Sequence, residues 1–171
     1  MSKRTGAKLN RRAALLAVVT ALWCLLIFCL SAQNADDSSE LSGGVIYFFC
    51  RLIVSGFTTL GEAAREAMIS SLQFWTRKTA HFCVYMVLGA LTLQIYLAAK
   101  KPQRRPAKYA AAWGLCVFYS VTDEIHQIFV PGRAGQLRDV CIDSAGAAAG
   151  LLASALVILL VRRIKAMKSK K

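Results

Sequence analysis

Long apolar runs constrain the fold of this chain more than any other feature of its sequence. Residues 13–30 form an uncharged run, and three more apolar runs cover about 79–99, 109–129 and 140–161. A helix of about 20 apolar residues crosses the hydrocarbon core of a bilayer. Because lipid offers the backbone no hydrogen bonds, each run is expected to be helical. The sequence therefore predicts an all-α membrane protein, folded as a four-transmembrane-helix bundle.

A basic head precedes the first run, as it does in a secretory signal peptide. The apolar core of a signal peptide is typically shorter, about 7–15 residues, and ends at a site of small residues. The first run has eighteen uncharged residues, so we predict an uncleaved anchor.

Positive charge is concentrated beside the apolar runs. The net charge is +13, and most of it lies in the head 1–12, the loop 100–108 and the tail 162–171. A basic soluble protein would suggest nucleic acid as a partner. Basic blocks that adjoin apolar runs are better explained by the positive-inside rule and by anionic headgroups. We therefore expect the partner to be a bilayer with anionic headgroups on its cytoplasmic side, and no nucleic acid.

Four crossings place every basic block on one side of the membrane. This topology predicts a cytoplasmic N-terminus over 1–12, a single membrane domain over 13–161 and a cytoplasmic tail over 162–171. The protein is then a multi-pass protein with both termini in the cytoplasm.

The segment between the first two runs is the least clear part of the sequence. Residues 43–61 are apolar but contain Arg51, and a full crossing there would move the loop 100–108 to the other side. We predict an extracytoplasmic interfacial or re-entrant helical segment instead. A polar loop over 31–40 precedes it and a short helix over 62–71 follows it. The candidates for a helix N-cap in the loop are Asp37, Ser38 and Ser39.

Turn residues and small residues predict two local features. Pro131 and Gly132 occupy the positions that a type II turn requires, with a positive φ at the glycine. Gly146 and Gly150 are four residues apart in the last run, and Gly89 lies in the second. Small residues at this spacing allow helices to approach closely within a membrane.

Polar side chains gather at the start of the second run, at the end of the third and at the start of the fourth. The four-crossing topology places all three groups at the outer surface. Spacings of four residues put members of each group on one helix face. We therefore predict a single outward-facing polar cluster. Its members are Arg77, Lys78, His81, Tyr85, Asp123, Glu124, Gln127, Arg133, Asp139 and Asp143.

Three interpretations of this cluster are open. In the first, Arg77, Arg133 and Arg138 pair with the acids and only fix the order of the helices. In the second, arginine forks and a neutral histidine bind an anionic or zwitterionic ligand. In the third, Glu124 or His81 acts as a general acid or base in catalysis.

A metal held by His81, His126, Glu124 and Asp123 is a further option. Glu124 and His126 are two residues apart, however, and would point in different directions on a helix. The chain has no HExxH motif and no phosphate-binding glycine loop, and its six cysteines show no paired spacing. We therefore expect no metal and no other cofactor.

These motifs together resemble the VanZ-like family of bacterial membrane proteins. The resemblance covers nearly the whole chain, from the first apolar run to the fourth. It rests on the motifs Ser31-Ala-Gln33, Arg77-Lys78-x-Ala-His81-Phe-x-x-Tyr85, Asp123-Glu124-x-x-Gln127-x-Phe-x-Pro131-Gly132-Arg133 and Asp139-x-x-x-Asp143-x-x-Gly146.

The resemblance implies a protein of the bacterial cell membrane and cell envelope, in a Gram-positive organism. The founding member of the family is associated with low-level resistance to teicoplanin, a lipidated glycopeptide antibiotic. We expect a non-enzymatic protein that contributes to such resistance or binds a lipid-linked cell-wall component or a lipoglycopeptide at the outward polar cluster. One alternative is a membrane-embedded enzyme that uses Glu124 or His81 as acid or base on a lipid-linked or headgroup substrate. The other is a structural partner of another envelope protein.

Overall fold

Five α-helices and one short 3₁₀ turn make up residues 11–98 and 104–169, which the computed structural model describes. No strand occurs in this part of the chain, so the predicted all-α class is confirmed. The predicted basic blocks lie partly outside it, at residues 1–10, 100–103 and 170–171. The elements are α1 (Arg11–Ser31), α2 (Ala35–Ile53), the 3₁₀ turn (Phe57–Thr59), α3 (Glu62–Ala98), α4 (Arg105–Gln127) and α5 (Leu137–Lys168).

Among the described helices, α1, α3 and α5 are long and apolar enough to cross a membrane. By length and composition, these three helices indicate a membrane protein. The helix α4 has 23 residues but falls outside this group. It carries Arg105 and Lys108 near its start and Asp123 and Glu124 near its end, which lowers its mean hydropathy.

The helices α3 and α5 run parallel and in close contact because glycines remove the side chains between them. A Cβ added to Gly146 would lie 2.3 Å from the Phe82 carbonyl oxygen, and one added to Gly150 would lie 1.8 Å from that of Met86. Gly89 makes the reciprocal approach to Ala147. The prediction of close packing at these glycines is confirmed.

The helices α1 and α4 run in the opposite direction and complete the bundle. The Trp23 indole of α1 donates to the Val84 carbonyl of α3 at 2.9 Å. The Tyr119 hydroxyl of α4 donates to the Cys24 carbonyl of α1 at 2.7 Å. Ile27, Tyr85, Leu88, Cys116 and Ala147 form the buried core where these four helices meet.

The helix α2 begins earlier than the sequence suggested. Asn34 is its N-cap, with φ −63° and ψ 171°, and its side-chain oxygen accepts from the Asp37 N–H at 2.8 Å. The predicted caps Asp37, Ser38 and Ser39 are therefore wrong, because these residues lie inside the first turns. The Ser39 hydroxyl instead donates to the Ala35 carbonyl, at 2.6 Å. Of the predicted polar loop over 31–40, only residues 32–34 lie outside a helix.

The helix that contains the second predicted span also begins earlier than predicted. The short helix over 62–71 and the span from 79 are one continuous helix, α3, of 37 residues. No glycine or proline interrupts residues 72–78, so nothing in the backbone stops the helix there. At about 1.5 Å per residue α3 is roughly 56 Å long, well beyond the ~30 Å hydrocarbon core.

The predicted segment 43–61 consists of the second half of α2 and the connection to α3. Helix α2 ends at Ile53, and the chain turns at Gly56, where φ is 78°. Ile46, Cys50 and Phe57 form a small core with Met68 and Ile69 of α3. Helix α2 thus packs antiparallel to the N-terminal half of α3, as a hairpin attached to one end of the bundle.

Candidate functional site

The ten predicted site residues lie at the end of the bundle to which α2 is attached, and we call this region the polar end. It is formed by the C-termini of α1 and α4, the N-termini of α2 and α5, and the middle of α3. A turn between α4 and α5 helps to organise it. There the Arg133 N–H donates to the Val130 carbonyl at 3.1 Å, and Gly132 has φ 71°, as expected for the predicted type II turn.

An ion pair joins α3 to α5 at the polar end. The Lys78 ammonium lies 2.5 Å and 2.7 Å from the two carboxylate oxygens of Asp139. Both side chains are largely buried, with 15% and 6% of their surface exposed. This pair fixes the polar start of α5 against the middle of α3.

Arg77, Arg133 and Arg138 form no ion pair with an acid among the described residues, so the proposed Arg–acid lid is wrong. Arg77 donates to the Ser39 hydroxyl and, at 3.5 Å, to the Ala35 carbonyl. Arg138 is exposed and lies 5.1 Å from the centroid of the Phe74 ring. These arginine side chains therefore interact with uncharged groups and not with the carboxylates.

A compact group of buried and partly buried polar side chains comes from three helices. The Asp143 carboxylate is fully buried; one oxygen lies 3.3 Å from His81 Nδ1 and the other accepts from the Ser120 hydroxyl at 2.8 Å. Ligand atoms of His81, Glu124 and Asp143 all lie within 4.8 Å of one another. The structure therefore brings His81 and Glu124 together, but with Asp143 as the third member.

The other two candidate metal ligands are not members of this group. His126 stacks on the Phe28 ring with centroids 4.6 Å apart, and its Nε2 is buried without a hydrogen-bond partner among the described residues. Asp123 is buried near the Ser31 hydroxyl, which accepts from Gln127 Nε2 at 2.7 Å. The expectation that Glu124 and His126 point in different directions agrees with this placement.

A cleft of about 230 Å³ opens at the polar end between α1, α2 and α3. One part of its wall is apolar and the other is polar. The apolar part is Ile27, Leu30, Leu41, Val45, Ala80 and Val84, and the polar part is Ser31, Gln33, Ser38, Ser42, Thr76, Arg77, His81, Tyr85, Asp123 and Arg133. Four of the predicted residues from α3 and α4, and Arg133 from the turn, therefore share one amphipathic cleft.

The two arginines of the cleft keep unused donors. Arg133 donates through Nε to the Gln33 carbonyl at 3.0 Å and through Nη2 to the Leu30 carbonyl at 3.4 Å. Burial, and then the nearby Arg77 guanidinium, lower the pKa of Arg133 from its ordinary value. The Nε of Arg77 is buried and has no partner among the described residues. Since each guanidinium has five N–H donors, both can still bind an anion.

Several hydroxyl residues of the site were not predicted from the sequence. Ser38 and Ser42 line the cleft from α2, and Ser120 supports Asp143 from α4. For Ser120 a signal was present, because it lies three and seven residues before Asp123 and Gln127 and so shares their helix face. For the serines of α2 there was none, because their position depends on how the α2 hairpin packs.

The opposite end of the bundle is basic. A second cavity of about 440 Å³ is lined by Arg12 of α1, Arg105 and Lys108 of α4 and Arg162 of α5. Among the described residues this cavity has no acidic side chain in its wall. The two ends of the bundle therefore differ in charge.

Comparison with protein-family models shows which family the chain resembles. A family model described as VanZ/LLP1 matches residues 16–160, which is most of the chain and includes every residue of the polar end. No curated protein and no solved structure matches.

Proposed function

The chain belongs to the VanZ/LLP1 family, and from this premise we propose that it is a multi-pass protein of the bacterial cytoplasmic membrane whose cleft binds the anionic headgroup of a lipid-linked envelope component. The observation that carries the proposal is the convergence of Arg77 and Arg133 on a cleft with an apolar wall. The protein acts by binding and needs no reaction.

The direction of the helices supports four crossings by a single domain over 13–161. At about 1.5 Å per residue, the 23 residues of α4 reach roughly 34 Å, enough for the ~30 Å hydrocarbon core. Helices α1 and α4 run one way and α3 and α5 the other. Four alternating crossings put both termini on the same side.

The charge of the two ends supports the orientation. Arg12, Arg105, Lys108 and Arg162 lie together at one end, which the positive-inside rule places in the cytoplasm. Anionic headgroups of the inner leaflet are the partners of this end. The polar end with its cleft is then extracytoplasmic.

The exposed apolar residues of α2 support an interfacial position for this helix. Phe48, Phe49, Leu52 and Ile53 are all more than half exposed, while Asp36 and other acids lie near the helix start. A helix with such an apolar face lies along the membrane surface. The cleft would then open beside the outer leaflet, where a lipid can enter it.

The chemistry of the cleft fits a phosphate headgroup with an acyl or prenyl chain. Guanidinium groups bind phosphate oxygens through two parallel hydrogen bonds. The apolar wall that includes Ile27 and Val45 accepts the first part of the chain. A volume of about 230 Å³ is below the roughly 300–1,000 Å³ of sites for drug-sized ligands. The cleft therefore takes a headgroup and not a whole glycopeptide.

Binding of undecaprenyl phosphate tests the proposal. Native mass spectrometry of the purified chain in detergent would give its affinity for this lipid and for phosphatidylcholine. Arg77→Gln and Arg133→Gln should each weaken binding about 10- to 100-fold, because a hydrogen bond to a charged group contributes roughly 1.5–3 kcal/mol. Arg138→Gln is the matched control, since Arg138 lies at the same end but outside the cleft.

Two outcomes would contradict the proposal. One is unchanged binding in both cleft variants, and the other is an equal loss in Arg138→Gln. The variants Arg77→Lys and Arg133→Lys are controls for loss of folding. They keep the positive charge and remove only the paired N–H donors of the guanidinium. Each should still fall below the native affinity.

Low-level teicoplanin resistance is the proposed cellular role. By occupying an outward site for a lipid-linked component, the protein would alter how a lipoglycopeptide reaches its target. Teicoplanin susceptibility in a Gram-positive host tests this role, with empty vector, native chain, Glu124→Gln and His81→Ala compared at equal membrane levels. Protection by the native chain alone is expected. Protection that survives both changes would contradict a role for the polar end.

A further inference from the structure

We propose that His81, Glu124 and Asp143 form a binding site for a divalent transition-metal ion such as Zn²⁺, independent of the lipid cleft's two arginines. The three residues come from α3, α4 and α5, and one ligand atom of each lies within 4.8 Å of the others. One imidazole nitrogen and two carboxylate oxygens are donor types that zinc binds.

The burial of the two carboxylates calls for a cation. Asp143 is fully buried and Glu124 is 5% exposed. Neither carboxylate pairs with a lysine or arginine among the described residues. The nearby Lys78 ammonium instead binds the two carboxylate oxygens of Asp139. Buried carboxylates are normally paired or bound to a metal. In the described part of the chain, His81 is the residue that forms an ion-pair contact with Asp143.

The hydrogen bonds around the group leave one oxygen of each carboxylate available. The Ser120 hydroxyl donates to Oδ2 of Asp143 at 2.8 Å, and the Gln136 N–H donates to Oε2 of Glu124 at 2.7 Å. The other oxygen of Asp143 faces His81 Nδ1 at 3.3 Å. The other oxygen of Glu124 is buried and has no partner among the described residues.

This pattern is the one that metal sites use to orient their ligands. In such sites a hydrogen bond to the outer oxygen of a carboxylate fixes the inner oxygen toward the ion. The unpartnered Glu124 oxygen, in a side chain that is almost fully buried, is the independent sign of a missing ligand. The ligand atoms lie up to 4.8 Å apart. Metal–ligand bonds of roughly 2.1 Å set a separation of about 3.4 Å between ligand atoms. The three side chains would therefore move closer together when they bind an ion.

The donor set also indicates which ions should bind. Imidazole is a ligand for zinc and other late first-row ions, whereas Mg²⁺ and Ca²⁺ prefer all-oxygen sites. We therefore expect Zn²⁺ and Co²⁺ to bind and Mg²⁺ to bind far more weakly. Three protein ligands leave a fourth coordination position, and His81 also lines the cleft.

Metal titration of the full chain tests the site. The chain would be purified in detergent without a histidine tag, stripped with a chelator and titrated with Zn²⁺, with bound metal measured after gel filtration. We expect one Zn²⁺ per chain, and a loss of affinity of at least about 100-fold in His81→Gln and in Glu124→Gln. His126→Gln is the matched control and should bind as the native chain does.

Ser120→Ala probes the same site without changing a metal ligand. Loss of a hydrogen bond to a metal ligand typically weakens binding about 10- to 100-fold, so this variant should show such a loss. Within residues 11–98 and 104–169, the Thr122 hydroxyl bonds only the Tyr119 carbonyl, so Thr122→Ala should have no effect.

The visible spectrum of bound Co²⁺ gives a second readout, which should disappear in His81→Gln and persist in His126→Gln. Native protein that binds no Zn²⁺ near neutral pH would overturn the proposal and assign a shared proton to the group instead. Equal binding by the native, His81→Gln and Glu124→Gln chains would overturn it too. Neither result would bear on lipid binding, which the arginine variants test separately.

Discussion

Replacing Gly150 by alanine should separate α3 from α5. Its Cβ would lie 1.8 Å from the Met86 carbonyl oxygen, 2.7 Å from the carbon of that carbonyl and 3.0 Å from the Ala90 nitrogen. The first distance is about 1.5 Å short of ordinary van der Waals contact. All three atoms belong to the backbone of α3, so no side chain can rotate away. The two helices must move apart to admit one methyl group.

The cost of this movement can be bounded. Overpacking a tightly packed interior costs typically about 1–3 kcal/mol, which for a chain of this size corresponds to a fall in Tm of roughly 2–12 °C. Two contacts between the same helices would weaken as well. These are the Lys78–Asp139 ion pair and the 2.7 Å hydrogen bond from Gln94 to Ser154.

Thermal unfolding in one detergent, followed by intrinsic fluorescence, measures the effect. Gly114→Ala is the matched control, because nothing lies within 4 Å of a Cβ at Gly114 in α4. Alanine there should leave the Tm unchanged or raise it slightly, since glycine is the poorer helix former by about 1 kcal/mol. A Gly150→Ala variant as stable as the native chain would refute the close approach of α3 and α5.

Two further predictions concern the polar end. Lys78→Met leaves Asp139 buried without its cation and should lower the free energy of unfolding by about 3–5 kcal/mol. Denaturant or thermal unfolding measures this loss. A loss below about 1 kcal/mol would show that the ion pair is solvated. Gly132→Ala should also destabilise the protein, because φ there is 71° and the new Cβ would lie 2.8 Å from the Ala35 side chain. Gly44→Ala, with nothing within 4 Å, is its control, and equal Tm values for the two variants would contradict the turn.

The sequence predicted those parts of the structure that depend on local spacing. The i, i+4 spacing of Asp139 and Asp143 placed both on one face of a helix, and the structure directs both toward α3, where they meet Lys78 and His81. The spacing of the small residues Gly146 and Gly150 predicted the close contact between α3 and α5. In each case the spacing of residues along one helix was enough for the prediction.

Helix boundaries were less predictable because polar residues beside an apolar run have two explanations. They can mark the end of a helix, or they can lie within a helix whose neighbours supply partners for them. Arg77 and Lys78 looked like the end of a span, yet they lie in the middle of α3. Helix α3 continues past them because α2 and α5 supply partners for their charges. The cap of α2 was misplaced for a related reason, since Asn34 and Asp37 have similar capping propensity and only the chain's path selects one of them.

The cleft could not be predicted from the sequence because tertiary contacts create it. Its α2 wall is positioned by the Ala35 N–H, which donates to the Pro131 carbonyl at 3.3 Å, and by the bond from Arg77 to Ser39. These residues are separated in sequence by 38 positions or more. The grouping of His81 with Asp143 in place of His126 likewise depends on the parallel packing of α3 and α5.

Cysteine labelling of the two ends of the bundle measures on which side of the membrane the polar end lies. In a chain whose six cysteines are replaced by alanine, Gln136→Cys would mark the polar end and Ser169→Cys the basic end. Both positions are exposed, and a membrane-impermeant maleimide would be applied to intact and to permeabilised cells. We expect labelling of the Gln136→Cys chain in intact cells and of the Ser169→Cys chain only after permeabilisation. The reverse pattern would place the cleft in the cytoplasm and contradict an envelope ligand.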